Sequence, residues 1–222
     1  MKGVIKINKK MKILFNAVFA ISMFLFIVIF SVKITLNFKA LYYFDLNYLN
    51  IKKYTFLNDE QIKSTYSYII DYVTNYKTSE FHIPLLPSSK EGITHFIDVK
   101  NLVHKLDFLL FICTMLVICS IYFYKKYKDL SFLNWCSNIL LCTCSVIILA
   151  FSLSFDKSFT AFHKLFFNNN YWLLDPNKDP VINILPEEYF FHCAILILII
   201  IFLWIVAIKL IYFKHKKMIG RK

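Results

Sequence analysis

Four long apolar runs dominate this chain of 222 residues. Each is near or above the roughly 20 residues that a helix needs to cross a hydrocarbon core of about 30 Å. Because lipid offers the backbone no hydrogen-bonding partner, such runs are expected to be helical. The chain is also 58% hydrophobic, more than is usual for soluble domains. We therefore predict an all-α, single integral membrane domain over residues 1–222, with transmembrane helices at about 13–36, 106–124, 132–155 and 189–213.

The distribution of basic residues predicts the orientation. The two terminal tails and the short loop between the second and third runs hold 13 basic residues and one acidic residue, Asp129. The other polar segments, 37–105 and 156–188, hold 11 basic and 12 acidic residues. An excess of positive charge marks the cytoplasmic side, so both termini are predicted to be cytoplasmic. The net charge of +12 is then a topology signal, and no nucleic-acid partner is expected.

The two extracytoplasmic segments are predicted to form a small, mostly helical cap (37–105) and an outer loop (156–188). Asn58 and Gln61 have the spacing of a capping box, and Ser88 and Glu91 are predicted to form a second one. After the first box, apolar residues recur at helical spacing, which favours one buried helix face. The members of that face are Ile62, Tyr66, Ile69, Ile70 and Val73. In the outer loop, an amphipathic interfacial helix is predicted over about 156–167, with Phe155, Phe159, Phe162 and Phe166 on one face.

Two histidines, His95 and His163, fall on the extracytoplasmic side in separate patterned segments. Histidine is the side chain whose unperturbed pKa lies near physiological pH, so the two are the best candidates for proton-transfer chemistry. Asp98 lies three residues after His95, and we expect it to orient that imidazole. Helix phase places His104 on the opposite face. His192 is a weaker candidate for the same cavity.

Simpler interpretations remain open for these residues. An interfacial histidine often serves as an anchor, and an aromatic helix face often contacts lipid. Asp98 could instead form a salt bridge with Lys100 or Lys105. Zinc bound by His95, His163 and Asp98 is conceivable, but no HExxH or paired-cysteine spacing supports it, so no metal and no cofactor are predicted.

Two stretches of the chain resemble the bacterial lipoprotein intramolecular transacylases. The first runs from Glu91 to Leu102 and contains the His-x-x-Asp-Val-Lys core at 95–100. The second, in the outer loop, contains Phe162-His163, Trp172, Asp175-Pro176, Asp179, Leu185-Pro186-Glu187 and Phe190. The helix order, the loop lengths and the cytoplasmic termini are also similar to that family, so the resemblance covers nearly the whole chain. Residues 37–86 match only in length and helical character.

The resemblance implies an acyltransferase of the bacterial cell membrane. Its substrate would be a diacylated lipoprotein, whose sn-2 acyl chain moves from the S-diacylglyceryl group to the α-amine of the N-terminal cysteine. The catalytic residues would be His95 and His163. The sequence does not determine which of them is the base and which the acid; we take His95 as the base, because Asp98 could raise its basicity. The residues expected to bind the substrate are Phe96, Asp98, Phe159, Phe162, Phe166 and Trp172.

Two alternatives to an enzyme are weighed from the sequence. A non-catalytic membrane scaffold or adaptor whose cap binds a partner would not need two histidines in patterned segments. A transporter is disfavoured by the few intramembrane charges and by the lack of broken-helix glycines or repeats. Oligomeric state and acyl-chain preference have no signal in the sequence. Besides the lipoprotein, membrane lipids are the expected partners.

Overall fold

The computed structural model describes residues 8–77 and 80–219, and over these residues it is all-helical. Lys2, Lys6, Arg221 and Lys222, which contribute to the charge asymmetry, lie outside the described residues. The α-helices are α1 (Lys9–Asn37), α2 (Lys39–Tyr48), α3 (Asp59–Thr74), α4 (Lys90–Tyr127), α5 (Ser131–Leu153), α6 (Phe155–Phe166) and α7 (Glu187–Ile219). Two short 3₁₀ turns cover Ile51–Tyr54 and Pro180–Asn183.

Four of these helices, α1, α4, α5 and α7, are long and apolar enough to cross a membrane. The predicted fold class, an all-helical membrane protein with four spanning helices, is therefore confirmed. The helix α4, with 38 residues, extends furthest beyond its apolar run at about 106–124. The extra length of α4 lies at its N-terminal end, where it carries His95.

The chain forms two compact units. The membrane unit comprises the described parts of residues 1–33, 108–149 and 197–222, and the cap unit those of 34–107 and 150–196. In the membrane unit, a cluster of aromatic rings that includes Phe15, Phe19, Phe123 and Phe132 packs at ring-centroid distances of 5.0–6.0 Å. Such packing replaces the hydrophobic driving force that is missing between helices in lipid.

Three tyrosines form the centre of the cap unit. The rings of Tyr42 and Tyr66 stack with centroids 3.7 Å apart, and Tyr189 meets Tyr42 edge-on at 5.2 Å. Buried hydroxyls require partners, and these have them: Tyr42 donates to the carbonyl of Ile184 at 2.7 Å, and Tyr66 and Tyr189 share a hydrogen bond of 2.7 Å. All five apolar residues predicted for one face of α3 are buried in this core.

The Asn58 capping box is confirmed, and the Ser88 box is wrong. Asn58 Oδ1 accepts the N–H of Gln61, and Gln61 Oε1 accepts the N–H of Asn58, each at 2.9 Å. Helix α4 instead begins at Lys90, and Ser89 Oγ accepts the N–H of Gly92 at 3.0 Å. Ser88 Oγ is buried without a hydrogen-bond partner among the described residues.

Candidate active site

The imidazoles of His95 and His163 face one another inside the cap unit. Their ring centroids are 6.1 Å apart, and each residue is only 8% exposed. His95 lies in the second turn of α4. His163 lies near the end of α6, which Ser154 caps by accepting the N–H of Lys157. Two candidates separated by 68 positions in the sequence thus form one buried pair.

A backbone carbonyl fixes the tautomer of His163. Its Nδ1 lies 2.8 Å from the carbonyl oxygen of Phe159, one turn earlier on α6. Since a carbonyl only accepts hydrogen bonds, Nδ1 must carry the hydrogen, and in the neutral ring the lone pair is on Nε2. Trp172 stacks on the same imidazole with centroids 4.7 Å apart and an interplanar angle of 24°. His163 therefore presents a basic nitrogen from a ring held on two sides.

His95 has a different environment. Its Nδ1 is buried and has no hydrogen-bond partner among the described residues. The rings of Phe96 and Phe167 lie 5.7 and 5.2 Å from its own. Buried polar atoms are normally satisfied, so an orphaned ring nitrogen in an apolar setting suits a transient partner better than a structural one.

Burial keeps both imidazoles neutral. It lowers the pKa of His95 to about 4, with a further decrease from the neighbouring His163 that outweighs the opposite effect of Asp98. Burial also lowers the pKa of His163, although the hydrogen bond to the Phe159 carbonyl favours its charged form. Desolvation disfavours the cation in each case. At neutral pH the pair thus offers two unprotonated ring nitrogens.

Asp98 does not orient His95, contrary to the expectation from sequence. Its Oδ2 accepts a hydrogen bond from Asn169 Nδ2 at 3.0 Å. The predicted alternative with Lys100 is also not formed, because Lys100 Nζ donates to the carbonyl of Lys77 and lies 4.3 Å from the centre of the Tyr72 ring. The sequence carries no signal for this role of Asn169, because a run of three asparagines after a helix is fully explained as its terminator.

The expected substrate-binding phenylalanines differ in their surroundings. Phe159 lies against His163, with ring centroids 4.3 Å apart. Phe162 and Phe166 pack on each other but remain 49% and 45% exposed. Phe96 is 6% exposed and stacks on Phe81 in the cap core. One side of α6 therefore meets the histidine pair, while Phe162 and Phe166 lie on its exposed side.

The other two histidines considered from the sequence have separate partners. His104, which helix phase places on the face opposite to His95, stacks on Tyr76 with centroids 4.3 Å apart. His192 Nδ1 lies 2.8 Å from Asp45 Oδ1, and its ring contacts Tyr48. Within residues 8–77 and 80–219, no group of three His, Cys, Asp or Glu side chains is arranged to hold a metal ion.

A carboxylate from the outer loop holds the start of the helix that carries His95. Asp179, which is 3% exposed, accepts the N–H and the hydroxyl of Ser89, each at 2.7 Å. The negative charge also suits the positive end of α4. Glycine is the only residue type that fits at position 92 beside the Asp179 carboxylate, since a Cβ there would overlap Asp179 Oδ1.

Gly92→Ala is therefore expected to destabilise the protein by about 1–3 kcal/mol, the usual cost of overpacking. The added methyl must displace the Asp179 carboxylate and break its bonds to Ser89. The unfolding midpoint of the purified protein in detergent measures this. In an Asp179→Ala background the clash is absent, so adding Gly92→Ala there should cost little, and an equal loss in both backgrounds would contradict the steric explanation.

The cap unit thus holds a neutral, buried histidine pair enclosed by aromatic rings, in a chain with four spanning helices. These features suit an integral membrane enzyme whose site holds two unprotonated imidazoles. The profile of the family described as lipoprotein intramolecular transacylase Lit matches residues 17–190. The chain therefore belongs to the lipoprotein intramolecular transacylase (Lit) family.

Solved structures agree with the family assignment. An in meso structure of the membrane integral Lit of Bacillus cereus superposes with a TM-score of 0.92 at 31% sequence identity, covering 97% of this chain and 100% of that one. Two further structures of the Bacillus cereus protein, with one histidine replaced by arginine or alanine, each give a TM-score of 0.85 at 31% identity. These cover 96% of this chain and 95% and 97% of theirs. No curated protein sequence matches significantly.

The chain is accordingly an integral membrane acyltransferase with lipoprotein intramolecular transacylase activity. The family assignment decides against the scaffold and transporter alternatives. Its substrate is a lipoprotein, as the family description states.

Proposed function

We propose that His95 and His163 carry the proton steps of an acyl transfer within one lipoprotein molecule. The acyl chain leaves the sn-2 ester of the S-diacylglyceryl group and joins the α-amine of the same N-terminal cysteine. A C–N bond forms, the ester C–O bond breaks, and one proton passes from nitrogen to the glyceryl oxygen. The product is an N-acyl, S-monoacylglyceryl lipoprotein. The observation that carries this proposal is the buried pair of imidazoles 6.1 Å apart.

In this mechanism His163 is the base. Its Nε2 lone pair is fixed by the bond from Nδ1 to Phe159, and that bond supports the cation once it forms. His95 is less suited, because Asp98 is engaged by Asn169 and burial lowers the pKa of His95 to about 4. Because its pKa is lowered so far, His95 is the stronger acid of the two histidines once it is protonated. We therefore propose that His163 takes the proton from the amine nitrogen. His95 then delivers that proton to the glyceryl oxygen.

The distance between the two rings suits this transfer through one bridging water. General acid–base catalysis of this kind typically contributes about 10²–10⁴-fold. The amine and the ester belong to one molecule, so a confined pocket that orients them adds to the rate. The aromatic rings around His163 also exclude water that would hydrolyse the ester.

We further propose that the site faces the extracytoplasmic side of a bacterial cell membrane and that both termini are cytoplasmic. The support is the charge asymmetry, with 13 basic residues in the tails and the short loop against a balanced cap and outer loop. A lipoprotein anchored by its diacylglyceryl group in the outer leaflet would then reach the cap unit laterally. The exposed Phe162 and Phe166 are placed to contact its acyl chains.

The pH dependence of the rate follows from the lowered pKa values. The substrate α-amine, with a usual pKa of about 7.7–8.0, must be unprotonated to attack. His95, with a pKa lowered to about 4, is already unprotonated, and burial lowers the pKa of His163 below the ordinary 6.5. We expect log(kcat/KM) to rise with a slope of about one between about pH 6 and 7, from the amine alone. A steeper slope, about 1.5 on average across that window, would show a histidine titrating at its ordinary pKa of about 6.5, against the proposed burial.

The function is tested in cells that lack their own N-acylation enzymes. Expression of this chain should convert a diacylated reporter lipoprotein into the lyso form. Because substrate and product are isomers of equal mass, the conversion is measured by fragment-ion mass spectrometry of the N-terminal peptide and by loss of its free amine. A reporter that keeps its free amine and both glyceryl esters in the presence of abundant membrane-inserted enzyme would refute the proposal.

A further inference from the structure

A continuous set of hydrogen bonds joins Asp98 on α4 to the ring that stacks on His163. Asp98 Oδ2 accepts from Asn169 Nδ2 at 3.0 Å, and the carbonyl of Asn169 accepts from the indole Nε1 of Trp172 at 3.1 Å. The indole then stacks on the His163 imidazole at 4.7 Å. We call Asp98, Asn169 and Trp172 the indole latch.

We propose that the indole latch positions His163, and that Asp98 and Asn169 act through Trp172 rather than by touching the substrate. This inference rests on the proposed role of His163 as the base. It assigns Asp98 a different role from the substrate contact expected from sequence, and it makes Asn169, which sequence analysis did not single out, a positioning residue.

The bonding of Asn169 supports a positioning role. Its Nδ2 is used by Asp98, its Oδ1 accepts the N–H of Tyr171 at 3.1 Å, and its backbone carbonyl holds Trp172. One residue thus shapes the turn after α6 and aims the indole at the imidazole. Asp98 lies on α4, the helix that carries His95. The latch therefore fixes Trp172 relative to both members of the histidine pair.

The consequence for catalysis is geometric. The α6 carbonyl of Phe159 holds only one nitrogen of His163, so the ring retains a rotation about that bond. Stacking of Trp172 on one face removes this freedom and keeps Nε2 aimed in one direction. Misplacement of a catalytic group by about 1 Å can cost about 10²-fold in rate. The titratable group that faces His163 is His95 from α4, while Asp98 bonds to Asn169 and Lys164 lies exposed on the same helix as His163.

Isosteric exchanges test the latch without changing side-chain size. N169D replaces the donor with a carboxylate opposite Asp98 and breaks the bond. D98N keeps an acceptor for Asn169. The double variant D98N/N169D restores a donor–acceptor pair in the reverse direction. N168D adds the same charge at an exposed neighbouring position and serves as the matched control.

The fluorescence of Trp172 provides a measurement that does not depend on turnover. It is recorded in a variant in which the other two tryptophans, Trp135 and Trp204, are replaced. A protonated imidazole stacked on an indole quenches its emission, so acidification should quench Trp172 with the titration of His163. His163→Gln should remove this pH-dependent quenching, which identifies its source. The measurement requires no substrate, so it also stands if the proposed acyl transfer fails.

We expect N169D to lose most of the pH-dependent quenching and to lower kcat by roughly 10–100-fold. D98N/N169D should recover both properties, and N168D should resemble the parent in both. If Asp98 binds the substrate instead, D98N and the double variant will lose activity while the emission stays normal. That result, or unchanged quenching in N169D, would overturn the proposal.

Discussion

Replacing His163 with glutamine is expected to lower the transacylation rate by about 10²–10⁴-fold while leaving the protein folded in the membrane. Glutamine retains hydrogen-bonding groups of similar reach but cannot take up a proton at neutral pH. His95→Gln should give a loss of the same order, because the proton would no longer reach the leaving glyceryl oxygen. The rate is measured on a synthetic diacylated lipopeptide by fragment-ion mass spectrometry.

Two features separate this expectation from general damage to the cap. If the two imidazoles act as one relay, the double variant should lose little more than the worse of the two single variants. His82→Gln, which changes an exposed histidine of the cap, should retain the parental rate. A single histidine variant with parental activity would move the proton transfer to another group.

The second large effect is expected on stability, at the pair formed by the buried Asp45 and the partly exposed His192. Asp45 is fully buried, with Oδ1 bonded to His192 Nδ1 at 2.8 Å and Oδ2 without a partner among the described residues. His192→Leu removes the partner and leaves an uncompensated carboxylate in the cap core. Loss of one member of a buried pair typically costs about 3–5 kcal/mol, and the unfolding midpoint in detergent measures the loss.

Two control variants are expected to lose less stability than His192→Leu. Replacing both members with leucine removes the carboxylate as well and should recover much of the stability. Lys39→Leu breaks the exposed pair with Asp71, whose N–O distance is 3.0 Å, and should cost at most about 1 kcal/mol. An unfolding midpoint of His192→Leu equal to that of Lys39→Leu would contradict the structural importance of the pair.

Features set by neighbouring residues were predictable from the sequence. The four spanning helices follow from the apolar runs, because lipid leaves the backbone no other arrangement. The Asn58 cap was also predictable, since both of its partners lie within three residues. The amphipathic helix α6 follows from the spacing of its phenylalanines, and its observed bounds, Phe155–Phe166, lie close to those predicted.

Contacts between distant segments were not predictable in this way. Ser89 rather than Ser88 caps α4 because Asp179, 90 positions away, takes its N–H and hydroxyl. Asp98 turns to Asn169, 71 positions away, although His95 lies only one turn from it on the same helix. A local pattern offers several hydrogen-bond partners, and the tertiary fold selects among them.

The histidine pair lies between these two cases. Residue type and topology identified His95 and His163 as candidates, and the resemblance to a known family joined them in one reaction. Their separation of 6.1 Å and the fixed tautomer of His163 come only from the packing of α6 on the cap. The fixed tautomer of His163, together with the bond from Asn169 to Asp98, is the reason for proposing His163 rather than His95 as the base.

The central claim is that the substrate's own amine attacks and that the two histidines only move a proton. The most direct measurement is a crossover experiment with purified enzyme and two lipopeptides of different sequence, one carrying deuterated acyl chains. We predict that each product keeps the chains of its own substrate and that mass spectrometry of the enzyme during turnover finds no acylated residue. Products with exchanged chains, or an acyl-enzyme formed and consumed during turnover, would contradict this account.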